Sequence, residues 1–130
     1  DMNLNQVTLP TRDLARAIPF YQTLGLELIV HAEPRYARFL CPNGQSTCSL
    51  HLVDELPTGD GVHVYFECEN LDQEVARLQE AGMKFSLLPT DQPWLWREAH
   101  LQDPDGNYLI LFWAGENRLN PPWRLPPPAH

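Results

Sequence analysis

The sequence is written twice. Shifted by 57 positions, Leu14 falls on Leu71, Ile18 on Val75, Tyr21 on Leu78, Gly25 on Gly82 and Leu28 on Phe85 without a gap. Upstream, the same shift lays Gln6 on His63 and Val7 on Val64. A shift of 62 lays CPNGQ at 41–45 on DPDGN at 103–107. A period of roughly half the chain implies two copies of one supersecondary unit, neither able to bury its apolar face alone.

Each copy reads strand, helix, strand, strand, strand. In the first, Leu4–Pro10 is a strand and Asp13–Leu24 a helix, with Asp13 as N-cap and Gly25 as terminator. Pro19 inside that helix predicts a kink or an irregular first turn. Strands follow near Glu27–Ala32, Tyr36–Cys41 and Ser46–Val53. In the second copy, Val62–Cys68 is a strand and Leu71–Ala81 a helix, capped by Asn70 and ended by Gly82. Strands follow near Met83–Leu88, Trp96–Gln102 and Tyr108–Trp113. Asp103-Pro104-Asp105-Gly106 suits a type I turn. The expected fold class is therefore α+β: two βαβββ modules forming a cupped mixed sheet with helices on the outer face. Module one spans about 4–54 and module two about 61–114 of a single domain, and a proline-rich tail runs over 115–130. Within it, residues 120–130 hold five of the thirteen prolines, which favours an extended, polyproline-like strap.

Strand alternation sorts the side chains by face. Val64, Phe66, Leu50, Leu52, Leu109, Leu111, Ala99 and Leu101 form apolar rows that can pack under the helices. The opposite faces carry Gln6, Thr8, His51, His63, Tyr65, Glu67, Glu98, His100, Ile110 and Phe112. A wet sheet face is usually rich in Lys, Glu and Thr. Histidines with Tyr65, Phe112 and the nearby Trp94 and Trp96 point instead to a ligand cleft. The two indoles, spaced by Leu95, suit a stacking wall for a planar ligand or a buried hinge.

The bulk properties narrow the function classes. A net charge of −8 argues against a nucleic-acid binder, which shows a basic stripe. No apolar run is long enough to span a membrane. Cys41, Cys48 and Cys68 lack metal-type spacing and read as reduced thiols, so a cytoplasmic location is expected.

The segments VTLPTRDLARAIPFYQTLGLEL, VHVYFECENLDQEVARLQEAGM and DPDGNYLILFW together resemble the vicinal oxygen chelate superfamily, over about residues 4–114. That group includes glyoxalase I, extradiol dioxygenases, fosfomycin-resistance enzymes and bleomycin-resistance proteins. The resemblance implies two modules whose sheets make a cup, often completed as a homodimer, and in the metalloenzymes one divalent metal held by the first and fourth strands of each module. Carried onto this sequence, those positions are Gln6, His63, His51 and Ile110. Counting from Gly44 selects Cys48 in place of His51, whereas strand parity selects His51.

Ile110 departs from the family pattern, because metal-binding members commonly carry glutamate there. The metal candidates are thus Gln6, His51 and His63, a set that could hold Zn, Ni, Fe or Mn loosely, or no metal at all. Glu67 and Glu98 are the candidate catalytic proton carriers. Tyr65, Trp94, Trp96, His100, Ile110 and Phe112 are candidate ligand contacts. Two functions follow. One is a glyoxalase- or dioxygenase-type lyase or oxygenase acting on a small oxygen-bearing metabolite. The other is a metal-free protein of the bleomycin-resistance type that sequesters a cationic or aromatic small molecule.

Overall fold

The computed structural model describes residues 1–128 and builds them as two compact units. Unit 1 is residues 1–63 with 102–108, and unit 2 is residues 64–101 with the chain from Leu109 onward. The last two residues of the expected proline-rich tail lie outside the described residues.

Unit 1 contains β1 (Gln6–Thr11), α1 (Leu14–Leu24), β2 (Glu27–Ala32), β3 (Tyr36–Leu40) and β4 (Thr47–Leu52), in the sheet order β1-β4-β3-β2. β1 runs parallel to β4, and the other pairs are antiparallel. The buried stripe of α1 is Leu14, Ala17, Ile18, Tyr21 and Leu24, the spacing that puts side chains on one helix face. The buried residues of the sheet are Leu9, Ala37, Phe39, Cys48 and Leu50, and the Tyr21 ring sits 5.5 Å from Phe39. Asp13 caps α1 by accepting the Arg16 N–H at 3.2 Å. Gly25 ends it in the left-handed conformation, φ 117°, where a Cβ would be strained. Pro19 is accommodated within α1, which continues to Leu24 although the ring removes one intrahelical N–H.

The second sheet, most of it in unit 2, is built from β5 (His63–Glu67), β6 (Leu87–Asp91), β7 (Arg97–Gln102) and β8 (Tyr108–Trp113) in the order β5-β8-β7-β6, with α2 (Leu71–Glu80) after β5 and a 3-10 turn over Gly115–Arg118 at the end. Leu71, Val75 and Leu78 form the buried stripe of α2. Among the described residues, no helix is long and apolar enough to cross a membrane.

Two elements differ from the sequence reading. β6 begins at Leu87, not near Met83, and its register slips between Leu87 and Thr90. Pro89 has no N–H to give a ladder, which suits the edge position and the slip. Asn70 sits at the N-cap of α2 without a side-chain cap bond; Asp72 and Glu74 in the first turn complement the helix dipole instead.

The DPDG segment is a hydrogen-bonded turn, closed by the Gly106 N–H to the Asp103 carbonyl at 3.0 Å. Its carboxylates stitch unit 1 together. Asp103 is buried and accepts from the Tyr21 hydroxyl at 2.5 Å, from Asn107 Nδ2 at 2.8 Å, and from the backbone N–H of Asp105 and of Asn107 at 2.9 Å each. Asp105 accepts from the Thr11 hydroxyl at 2.6 Å and from the Arg12 N–H at 2.9 Å.

All three cysteines are free, and Cys48 is buried. Burial first, then the charges of Cys41 and Asp103, push its thiol from 9.0 up to about 12. Burial and Asp103 push the Tyr21 phenol in the same direction. A group whose folded value exceeds its unfolded one stabilises the fold fully below the unfolded value and loses that contribution as pH rises through the folded one. Alkaline unfolding is therefore expected to begin between pH 9 and pH 12, and Cys48→Ala is expected to flatten that limb. Stability measured by urea titration at stepped pH checks this. An unchanged slope in Cys48→Ala contradicts it.

Candidate functional site

In unit 2, β7 places Glu98 and His100 on one face, with Trp96 just ahead of them, and β8 places Ile110 and Phe112 on the adjacent strand. Trp96 stacks on Phe112 with centroids 4.6 Å apart and planes 16° off parallel. Tyr65 from β5 meets both edge-on, at 5.8 Å from Trp96 and 5.7 Å from Phe112. Ile110, Phe112 and Ala114 form a buried cluster of their own, with Trp96 packed against it. β8 is thus buried on both faces, and Ile110, at the position where the sequence pattern lacks a carboxylate, is 4% exposed.

Glu98 is the polar centre of this face. It is 2% exposed, yet both oxygens are matched: the Trp94 indole N–H donates to Oε2 at 2.7 Å, and His100 Nε2 lies 2.8 Å from Oε1. A carboxylate can only accept, so His100 donates through Nε2–H. The turn between β6 and β7 makes the Trp94 contact. The Gln92 N–H bonds the Trp96 carbonyl at 2.7 Å, the Leu95 N–H bonds the Gln92 carbonyl at 3.0 Å, and Leu95 takes a left-handed φ of 66°. That conformation is uncommon without glycine. Burial, then the Glu98 charge, raise the Tyr65 phenol and keep its proton on. The Trp96 indole N–H reaches the Asn117 carbonyl at 3.3 Å, tying the 3-10 turn to the cluster. Tyr65 and Trp94 are each about half exposed, at 46% and 47%. Glu67 is exposed on β5.

A groove of about 310 Å³ also opens in unit 2, lined by Glu69, Asp72, Arg97 and Trp113 among others. Its one cation, Arg97, is already held by Asp72 at 2.9 Å and Asp91 at 3.0 Å. It offers little free chemistry.

The residues read from the sequence as metal ligands fall in unit 1. Gln6 pairs with Thr47 and His51 with Pro10, four register steps apart along the β1–β4 pair. Their backbones are therefore about 13 Å apart along the strands. The Gln6 side-chain oxygen already accepts from the Thr47 hydroxyl at 2.8 Å. The His63 ring lies against Tyr108, centroids 5.1 Å apart. Among the described residues, no group of three or more His, Cys, Asp or Glu could hold a metal ion. Gln6, committed to Thr47 and held four register steps from His51, is not placed to share an ion with it.

Sequence reasoning missed Ala114 and Asn117, which lie beyond the last strand and carry no periodic signal. It also passed over Tyr36 and Arg38 on β3, although alternation places them on the face of Ser49 and His51.

The family model described as Glyoxalase/Bleomycin resistance protein/Dioxygenase superfamily matches residues 3–111. The chain is 28% identical to a trivalent organoarsenical cleaving enzyme from Bacillus sp. (strain MD1), over 93% of this chain and 81% of that one. Among solved structures, a glyoxalase/bleomycin resistance protein/dioxygenase from Nocardioides superposes with a TM-score of 0.78 at 26% identity, covering 97% of this chain and 91% of that one. A bleomycin-binding protein complexed with bleomycin superposes at 0.72 and 18% identity, covering 88% and 100%, a likeness of fold alone.

Proposed function

Since the chain belongs to the glyoxalase/bleomycin resistance protein/dioxygenase superfamily, we propose that it binds a planar, cationic small molecule on the aromatic face of unit 2, by stacking and charge. The observation that carries this reading is the buried Glu98 carboxylate beside the half-exposed rings of Tyr65 and Trp94. A cation over those rings gains the attraction of their π faces. It also gains the pull of a carboxylate sheltered from water, which is stronger than that of an exposed one. The net charge of −8 adds a long-range attraction of the same sign. A bleomycin-binding protein of the same fold was solved with bleomycin bound, which is in keeping with a small-molecule ligand here.

The test is a tryptophan-fluorescence titration with N-methylquinolinium against quinoline, which has the same shape without the charge. The cation is expected to bind at least about tenfold more tightly. Equal affinities contradict the reading.

A second reading, chemistry on a small oxygen-bearing metabolite, is favoured by the His100–Glu98 pair. A partly exposed imidazole oriented by a buried carboxylate suits a proton carrier. In that case a bound small molecule is recovered altered, which mass spectrometry of the released ligand distinguishes from simple sequestration.

A further inference from the structure

We propose that the sheet face of unit 1 built by Arg38, Tyr36, Ser49 and Thr8 is a binding site for the oxyanion of a small molecule, a carboxylate or a phosphate. The face belongs to unit 1, and no contact of the aromatic face of unit 2 is used to infer it.

Among the Lys and Arg residues, only Arg38 and Arg97 are part-buried; the rest are exposed. The two differ in one respect. Arg97 is matched by Asp72 and Asp91, while among the described residues no carboxylate lies within 4 Å of Arg38. Withdrawing a guanidinium from water without a counter-charge is unfavourable, and an anionic ligand relieves it.

The guanidinium is also held in place. Its Nε–H donates to the Tyr36 hydroxyl at 2.9 Å, that hydroxyl is 2.7 Å from Ser49 Oγ, and the guanidinium carbon lies 5.4 Å from the Tyr36 ring centroid. Ser49 is fully buried, so the anchor is fixed. Among the described residues only the Nε–H is engaged, which leaves the Nη groups to grip two oxygens at once.

Strand register completes the site. Thr8 stands opposite Ser49, Ser49 opposite Arg38, and His51 opposite Tyr36. Residues directly opposite share a face, so a hydroxyl and an imidazole flank the cation. Although burial works against it, the hydrogen bonds with Ser49 and Arg38 hold the Tyr36 phenol below its ordinary range, in keeping with an uncompensated positive charge there. In a chain of net charge −8, diffuse anion binding is disfavoured, so saturable binding reports a built site.

The experiment titrates the full chain with benzoate and, separately, with inorganic phosphate in low-chloride buffer. It follows the arginine Nε–H resonances by nitrogen-correlated NMR. The Arg38 signal is expected to move saturably, and the anion that moves it identifies the oxyanion class. Arg38→Gln is expected to weaken binding at least about tenfold. Tyr36→Phe, which keeps the charge but frees it, should weaken binding about three- to tenfold. Arg35→Gln removes the same charge from an exposed position and should change affinity less than about twofold. Thermal melts confirm that each variant is folded. An Arg38 signal unmoved by either anion overturns the proposal, as does an equal loss in Arg35→Gln and Arg38→Gln.

Discussion

Asp103→Ala is expected to lower the unfolding free energy by about 3–5 kcal/mol. The substitution removes one carboxylate and strands four donors: the Tyr21 hydroxyl, the side-chain amide of Asn107, and the backbone N–H groups of Asp105 and Asn107. Tyr21 is the costliest of these, because it is fully buried and water cannot replace the lost acceptor. The damage spreads because the same turn carries Asp105, whose carboxylate holds Thr11 and the N–H of Arg12. Asp103→Asn keeps one acceptor oxygen for the backbone and should cost about 1–2 kcal/mol. Urea denaturation of the two variants measures both. A loss under about 1 kcal/mol for Asp103→Ala would mean that the turn is not a tie between β1 and α1.

Glu98→Gln is expected to weaken binding of a planar cation by about ten- to hundredfold, while a neutral ring of the same shape changes less than about twofold. The two effects separate because the substitution removes charge and leaves the wall in place. The amide oxygen of glutamine can still accept the Trp94 N–H, and its NH₂ can donate to His100 once the imidazole takes its other tautomer. The stack of Trp96 on Phe112 and the edge contacts of Tyr65 do not involve Glu98. Parallel fluorescence titrations of wild type and Glu98→Gln check the expectation. An equal loss for cation and neutral ring would assign Glu98 a structural role only.

The fold was legible because repetition and capping are local signals. Asp13 and Gly25 bound α1 where the sequence placed them, and Gly106 closes the turn that DPDG announces. β6 was misplaced because Pro89 and the register slip at Leu87–Thr90 are settled by pairing with β7, which no local pattern records. Strand parity correctly grouped Ile110 with Phe112. It could not foretell that this face would be covered by Trp96, because the covering residue depends on the left-handed turn at Leu95. Parity likewise gave Gln6 and His51 a common face without their spacing, since distance along β1 and β4 follows from register. Arg38 went unread for a related reason: a charged residue on a strand looks like solvated surface until its burial and the absence of a carboxylate partner are known together.

Binding of a planar cation at the aromatic face is tested by following the indole N–H resonances of Trp94, Trp96, Trp113 and Trp123 while N-methylquinolinium is added. The Trp94 and Trp96 signals are expected to shift together and saturate, with Trp113 and Trp123 unmoved. Saturating shifts at Trp113 or Trp123 with Trp94 and Trp96 unchanged would contradict it.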